Sequence, residues 1–182
     1  MKYQLIRSNR KSMSIEIRDG QVIVRAPFYA RREEVDRLLW DKRDWIAKHL
    51  ALNQRRKEAV AGIQPLTDEE LQRLGRQAAD YLPGRVRHYA ALLGVRPGRI
   101  TIRAQRTRWG SCSSKGNLNF NCLLMLTPPE VIDSVVVHEL CHLKEMNHSE
   151  AFYREVYRIY PDYDKYHAWL KQHQPELMAR LG

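Results

Sequence analysis

The chain has 182 residues, 43% hydrophobic and 29% charged, which is typical of a globular protein with one domain or with one domain and a small appended unit. Its first residues lack the apolar stretch of a secretory signal and no apolar run spans a membrane, so we expect a cytoplasmic protein without a membrane partner. A net charge of +10 predicts a basic surface, which could contact a polyanion without identifying it.

Three β-strands are predicted at the N-terminus, over residues 3–7, 13–18 and 21–26, where β-forming and apolar residues recur. Asp19-Gly20 is a strong hairpin signal between the last two, and we expect the three strands to form a β meander. Apolar residues at helical spacing predict a helix over 31–57. These elements define an N-terminal β-rich extension with a helix, residues 1–60.

Helices and one hairpin are predicted for residues 61–182. A capping box at Thr67 begins the first helix, which Pro83-Gly84 should break or kink. The remaining elements are two strands expected to pair as a β-hairpin, a central helix and two further helices, over 99–103, 118–123, 127–146, 149–160 and 163–173. Strands, helices, a hairpin and helices in this order predict an α+β fold.

The central helix contains the sequence HExxH. His138 and His142 are four residues apart, so both imidazoles lie on one helical face and can bind one ion. Glu139 follows the first of them and can take a proton from water held by that ion. Thr127 as a cap and Pro128 at the first helical position support a helix here. The pattern predicts a zinc site with Glu139 as the general base.

A third zinc ligand is predicted at His148. Six residues of straight helix after His142 would carry this side chain about 9 Å away, so the helix must end near Glu145 or Met146 and turn back. Asn147 suits that turn, and Ser149 can cap the next helix. This order of turn, ligand and new helix favours His148 over the later histidines.

Cationic residues cluster in the segment before the central helix. Arg106, Arg108 and Lys115 could form a rim that binds substrate or an anion, although an arginine paired with an acid is an equally good interpretation. Trp109 is more typical of a packing residue. An edge strand beside the active helix, from 99–105 or 117–123, could pair with an extended substrate.

The sequence resembles the YgjP-like zinc metallopeptidase-type family, which is related to the SprT and WLM metalloproteases. The resemblance lies in Arg108–Ser114 (RWGSCSS), His138–His142 (HELCH) and Asn147–Ser149 (NHS), with Arg10–Ser14 and Val22–Pro27 matching the family's usual start. It implies a zincin-like α+β core with an active-site helix and a β-hairpin over residues 61–182. It also implies that the three histidines are zinc ligands and that Glu139 is the catalytic acid and base.

Three functions are open at this point. A zinc metallopeptidase acting on a peptide or protein explains the metal motif best. A nucleoside-triphosphate pyrophosphatase acting on UTP agrees with the basic charge and with an activity attached to the family, but three histidines lack the carboxylates that usually hold magnesium. A non-catalytic nucleic-acid-associated module would leave HExxH unexplained. The group that stabilises the transition state is undecided among four tyrosines and one histidine: Tyr153, Tyr157, Tyr160, Tyr163 and His167.

Overall fold

The computed structural model describes residues 2–18 and 20–182, without the side chain of Arg56. The chain divides into two compact units, Met1–Gly62 and Ile63–Gly182. The boundary predicted after residue 60 lies two residues before this division. Among the described residues, every helix is too short or too polar to cross a membrane.

The N-terminal unit contains a three-stranded sheet followed by two helices. Its elements are β1 (Gln4–Ser8), β2 (Ser14–Arg18), β3 (Gln21–Pro27), α1 (Arg32–Asp41) and α2 (Arg43–Val60). The single helix predicted over 31–57 is therefore two helices, because the backbone of Lys42 leaves the helical region between them. Val35, Leu39 and Ile46 pack with β3 in the core of this unit.

The predicted meander is wrong in its strand order. The order is β1-β3-β2, with β2 antiparallel to β3 and β1 parallel to it. β3 is central because it is the most apolar strand: Val22, Val24 and Ala26 are buried, whereas β1 is mostly exposed and lies at an edge. The hairpin between β2 and β3 is present; Asp19 of its predicted turn lies outside the described residues.

The second unit begins with a long helix. α3 (Asp68–Leu93) starts at Thr67, whose side chain accepts a hydrogen bond from the Glu70 amide in the predicted capping box. Of the break or kink predicted at Pro83, the break does not occur, since α3 continues through this residue. Leu82 and Val86, on either side, are fully buried, and their packing offsets the hydrogen bond that proline cannot donate.

A second three-stranded sheet follows α3, formed by β4 (Ile100–Arg103), β5 (Gly110–Cys112) and β6 (Leu118–Asn121). The predicted hairpin of the first and last of these strands is wrong, because they run parallel; the hairpin is β5–β6. β6 is central, with Leu118 and Phe120 buried. The edge strand in contact with the active-site helix is therefore β5, which sequence patterning missed.

Three helices complete the unit after a 3-10 turn over Cys122–Leu126: α4 (Pro129–Cys141), α5 (Glu150–Ile159) and α6 (Tyr163–Ala179). The predicted cap of α4 is wrong: Pro128 is the capping residue, and the Thr127 hydroxyl donates instead to the Leu124 carbonyl at 2.8 Å. α4 contacts α3, α5, α6 and β5, so nearly all of it is buried. The prediction of an α+β fold with an active-site helix beside a hairpin is confirmed.

Candidate metal centre and its surroundings

Three imidazoles meet at the end of α4. One ring nitrogen from each of His138, His142 and His148 lies within 4.8 Å of the others, and the Nε2 atoms of His138 and His148 are 3.1 Å apart. Zinc–nitrogen bonds of about 2.0–2.1 Å in a tetrahedron place ligand nitrogens roughly 3.3 Å apart. The donor atoms are of a type that zinc prefers, and the 3.1 Å separation of two of the nitrogens is close to this spacing.

The chain reverses direction earlier than the sequence indicated. α4 ends at Cys141 with His142 as its capping residue, and the amides of Lys144 and Glu145 bond to the Cys141 carbonyl in the following turn. Lys144 then pairs with Glu155 of α5 at 2.8 Å. The helix therefore ends about one turn before Glu145, where the sequence predicted its end, and the following turn brings His148 back to the site.

The segment after the turn packs against the three imidazoles. Ser149 caps α5 as predicted, accepting a hydrogen bond from the Phe152 amide at 3.4 Å. Phe152 is fully buried, and its ring centre lies 5.0 Å from that of His138, 4.6 Å from that of His142 and 4.9 Å from that of His148. One aromatic ring thus packs against all three candidate ligands and restricts their movement.

Hydrogen bonds at Nδ1 orient two of the rings. Nδ1 of His142 lies 3.1 Å from the Glu145 carbonyl oxygen, and Nδ1 of His138 lies 2.8 Å from the Tyr163 hydroxyl. A carbonyl oxygen only accepts, so Nδ1 of His142 must donate, which leaves its Nε2 lone pair free. Such contacts fix the ring tautomer in metal-binding histidines.

The same two imidazoles are held in the neutral form that a metal ion requires. Burial, with the charges of His142, His148 and His167, lowers the pKa of His138 to about 3. Burial also lowers the pKa of His142. Because neither ring carries a proton on both nitrogens at neutral pH, a metal ion does not have to displace one.

Glu139 is buried beside the cluster, with 6% of its surface exposed, and no described residue donates a hydrogen bond to its carboxyl group. Burial raises the pKa of this carboxyl to about 8, against the opposing effect of the Arg108 charge. The group lines a cavity of about 160 Å³ together with His138, Tyr163 and His167. A carboxyl group with a raised pKa at a cavity is suited to accept and return protons.

Gly110 is a site residue that sequence reasoning missed. A Cβ atom at this position would lie 2.6 Å from Oε1 and 2.7 Å from Cγ of Glu139, closer than real contacts allow. Residue 110 must therefore lack a side chain for the Glu139 carboxyl to occupy its place. A glycine inside a strand often marks such a close approach, so Gly110 after Trp109 was the available signal.

The cavity narrows the choice of transition-state groups. Tyr163 and His167 line it, and the Tyr163 hydroxyl lies 3.1 Å from Nδ1 of His167. Tyr157 instead donates to Asp164, and Tyr160 donates to the Glu130 carbonyl. The structure therefore places Tyr163 and His167 beside Glu139, and it does not place Tyr157 and Tyr160 there.

The predicted substrate-binding residues are only partly together. Arg106 and Arg108 line one polar concavity, whereas Lys115 lies in the exposed turn between β5 and β6 and does not line it. In the described part of the chain, no acidic side chain pairs with Arg108. Trp109 packs in the core as predicted, with Nε1 donating to Gln174 at 3.2 Å.

Comparison with known proteins identifies the family. Residues 64–173, all within the second unit, match the model of the YgjP-like metallopeptidase domain. A search of curated proteins gave no significant match. The structure is similar to the metallopeptidase zymogen of Pyrococcus abyssi abylysin (24% identity, TM-score 0.46, 50% of this chain and 94% of that one). It is also similar to the zymogen of Methanocaldococcus jannaschii jannalysin (22% identity, TM-score 0.45, 50% and 93%). Because the family match covers more than half of the chain, this protein belongs to the YgjP-like metallopeptidase family.

Proposed function

We propose that this protein is a zinc-dependent metallopeptidase in which His138, His142 and His148 hold the ion and Glu139 is the general base. The observation that supports this most is the convergence of three imidazoles at one point, with the buried Glu139 carboxyl group and His138 lining the same cavity. The family match over the same part of the chain agrees with a metal-dependent peptidase.

The donor set favours zinc over other common ions. All three candidate donors are imidazole nitrogens, which suit zinc and other transition metals, whereas magnesium and calcium prefer oxygen ligands. A three-histidine set with an open fourth position is typical of catalytic rather than structural zinc sites. When bound, zinc supplies the Lewis acidity that polarises a carbonyl group and lowers the pKa of a water molecule.

The protein's own groups would then move the protons. Glu139 takes a proton from the attacking water and returns it to the leaving amine, and burial raises its pKa, which brings its protonation closer to the neutral range. Gly110 keeps this carboxyl group in place through close packing. Tyr163 and His167, on the cavity wall, are the candidates for stabilising the negative charge of the transition state.

The open edge of β5 offers a place to align an extended substrate. The Trp109 carbonyl and the Ser113 amide bond toward the β6 side, so by alternation the peptide groups of Gly110 and Cys112 face the other edge. No described strand pairs with that edge. A polypeptide added there as a further strand would pass directly beside Glu139.

A paired assay tests the proposal against the UTP alternative. The zinc-loaded protein is offered an unfolded polypeptide or UTP, and each reaction is repeated with Glu139→Gln. We expect cleavage of the polypeptide only, with a loss of about 10²- to 10⁴-fold in the variant while zinc is retained. Glu139-dependent hydrolysis of UTP without peptide cleavage would replace the proposal, and full activity of the variant would remove Glu139 as the base.

A further inference from the structure

A strongly basic surface lies on the sheet next to the candidate metal centre. Residues 81–129 contain eight arginines and lysines and no aspartate or glutamate. One concavity of about 490 Å³ is lined by three of these arginines, Arg103, Arg106 and Arg108, together with Ser111 and Asn119. We call this concavity the arginine surface. Its lining is polar, so it is suited to an anion rather than to an apolar group.

The arginine charges have no close counter-charge in the described part of the chain, and the charge of Arg108 acts on Glu139 only at a longer distance than an ion pair. No ion pair involves any of the three, and the one hydrogen bond from their side chains joins Arg106 to the Leu181 carbonyl at 3.2 Å. All three side chains are exposed. Three unpaired guanidinium groups in one concavity repel one another, and a bound anion would relieve that repulsion.

The arginine surface and the catalytic groups lie on opposite faces of the same strand. Gly110 faces α4, because a Cβ atom there would touch Glu139. The next residue, Ser111, pairs with Asn119 and faces the arginine surface. Successive side chains of a strand alternate between the two faces of the sheet, and the same holds for a strand added at the β5 edge.

We propose that the arginine surface selects polypeptide substrates with acidic side chains at alternate positions of the segment that pairs with β5. This proposal rests on the proposed peptidase function and adds a substrate preference to it. Side chains of the bound segment that point toward α4 reach Glu139, and their neighbours point toward the three arginines. Carboxylates match guanidinium groups in charge and geometry.

A peptide fits this surface better than a nucleic acid. Binding of single-stranded nucleic acid depends on aromatic rings on which bases stack, and no aromatic residue lines the arginine surface. The concavity also adjoins the strand edge where a polypeptide would pair. The two observations together favour acidic side chains of the substrate itself.

The test uses matched quenched-fluorescence peptides that carry glutamate or glutamine at alternate positions, in both registers. For the zinc-loaded protein we expect the glutamate peptide of one register to have a kcat/KM about three- to tenfold higher than its glutamine counterpart, because its KM is lower. In high salt this kcat/KM should fall toward the glutamine value. In the variant R103Q/R106Q, the ratio of kcat/KM between the glutamate and glutamine peptides should fall to about one. The control R96Q/R99Q removes the same amount of charge from exposed arginines outside the concavity, and it should keep the preference for the glutamate peptide.

Equal kcat/KM for glutamate and glutamine peptides in both registers would overturn the proposal, as would an equal loss in R96Q/R99Q. If no peptide is cleaved, the proposed peptidase function fails separately. Binding of the same labelled peptides to the zinc-loaded protein, followed by fluorescence anisotropy, still reports on the arginine surface. Preferential binding of a labelled oligonucleotide through Arg103 and Arg106, without discrimination between the peptides, would also overturn it.

Discussion

Each half of α4 carries one buried carboxyl group, and the two carboxyl groups have different hydrogen-bonding surroundings. Asp133, in the first half, accepts two hydrogen bonds of 2.7 Å from Arg85 and one of 3.1 Å from the Tyr89 hydroxyl. Glu139, in the second half, is as deeply buried but has no such donors among the described residues. Partners offset the cost of burying a charge, so that removing one partner destabilises the fold, whereas a buried carboxyl group without partners costs stability when it is charged. The carboxyl group in the first half of α4 is thus held by partners, whereas the one in the second half is left without them, as the proposed role of Glu139 requires.

Removing the two carboxyl groups should separate stability from activity. Asp133→Ala leaves the Arg85 charge without a partner, and we expect the free energy of unfolding to fall by about 3 kcal/mol, at the low end for buried pairs because Arg85 is partly exposed. Glu139→Gln should unfold at the same or a higher urea concentration than the parent protein. The comparison fails if Glu139→Gln is the more destabilised of the two variants.

A methyl group at position 110 should disturb the functional half alone. Gly110→Ala places Cβ within 2.8 Å of three Glu139 atoms, so the carboxyl group must move, and a shift of about 1 Å can cost roughly 100-fold in kcat. Gly75→Ala is the matched control, since a Cβ atom there meets nothing within 4 Å inside α3. Peptide hydrolysis should be unchanged in the control, and similar rates for the two variants would contradict the packing role of Gly110.

The Tyr163 hydroxyl should affect metal affinity. Tyr163→Phe keeps the buried ring and removes the group that lies 2.8 Å from Nδ1 of His138, and loss of such a supporting contact weakens metal binding by about 10- to 100-fold. Competition with a chelator measures the change in the zinc dissociation constant. Tyr157→Phe removes a hydroxyl that bonds to Asp164 instead, and its affinity should match that of the parent protein. Equal affinities in all three proteins would show that Tyr163 does not orient His138.

The ion pair at the turn should give the smallest effect, with a distinctive pH dependence. Hydrogen bonds from Arg158 and Lys144 lower the pKa of Glu155 from 4.5 to about 2. A lowered pKa in the folded protein adds stability above pH 4.5 that is lost as the pH falls toward 2. Since both partners are partly exposed, Glu155→Gln should cost about 1 kcal/mol at pH 7 and nearly nothing at pH 2.

Unfolding curves at several pH values measure this difference. Glu150→Gln is a suitable control, because Glu150 contacts Arg154 at 3.6 Å with 94% of its side chain exposed and should contribute little at any pH. A cost of Glu155→Gln that does not change between pH 7 and pH 2 would show that the ion pair does not stabilise the turn.

Local features of the sequence predicted the histidine face of α4 and the start of α5 well, but they predicted the ends of α4 and the strand order of the sheets poorly. The i, i+4 spacing of His138 and His142 fixes their common face, and the cap at Ser149 fixes the start of α5, because both depend only on nearby residues. Strand order depends instead on which strand is most buried, and this placed β3 and β6 at the centres of their sheets. No local pattern reports that competition.

The residues that surround the three histidines could not be predicted from the sequence for a related reason. β5 has only the residues Gly110–Cys112, with no apolar alternation to mark a strand. Tyr163 reaches His138 across 25 residues of sequence, and it was one of five equivalent candidates before the fold was known. Helical spacing alone could predict the metal motif, but only the packing of α6 and β5 on α4 shows what surrounds it.

Zinc binding by the purified protein tests the central claim most directly. The metal-free chain is titrated with zinc, and the bound metal is measured by elemental analysis for the parent protein and for His148→Ala. Three imidazoles around one site predict one zinc ion per chain, with an affinity that falls in the variant by more than the 10- to 100-fold expected for a supporting contact. A parent protein that takes up no zinc, or a variant that binds it with unchanged affinity, would contradict the account.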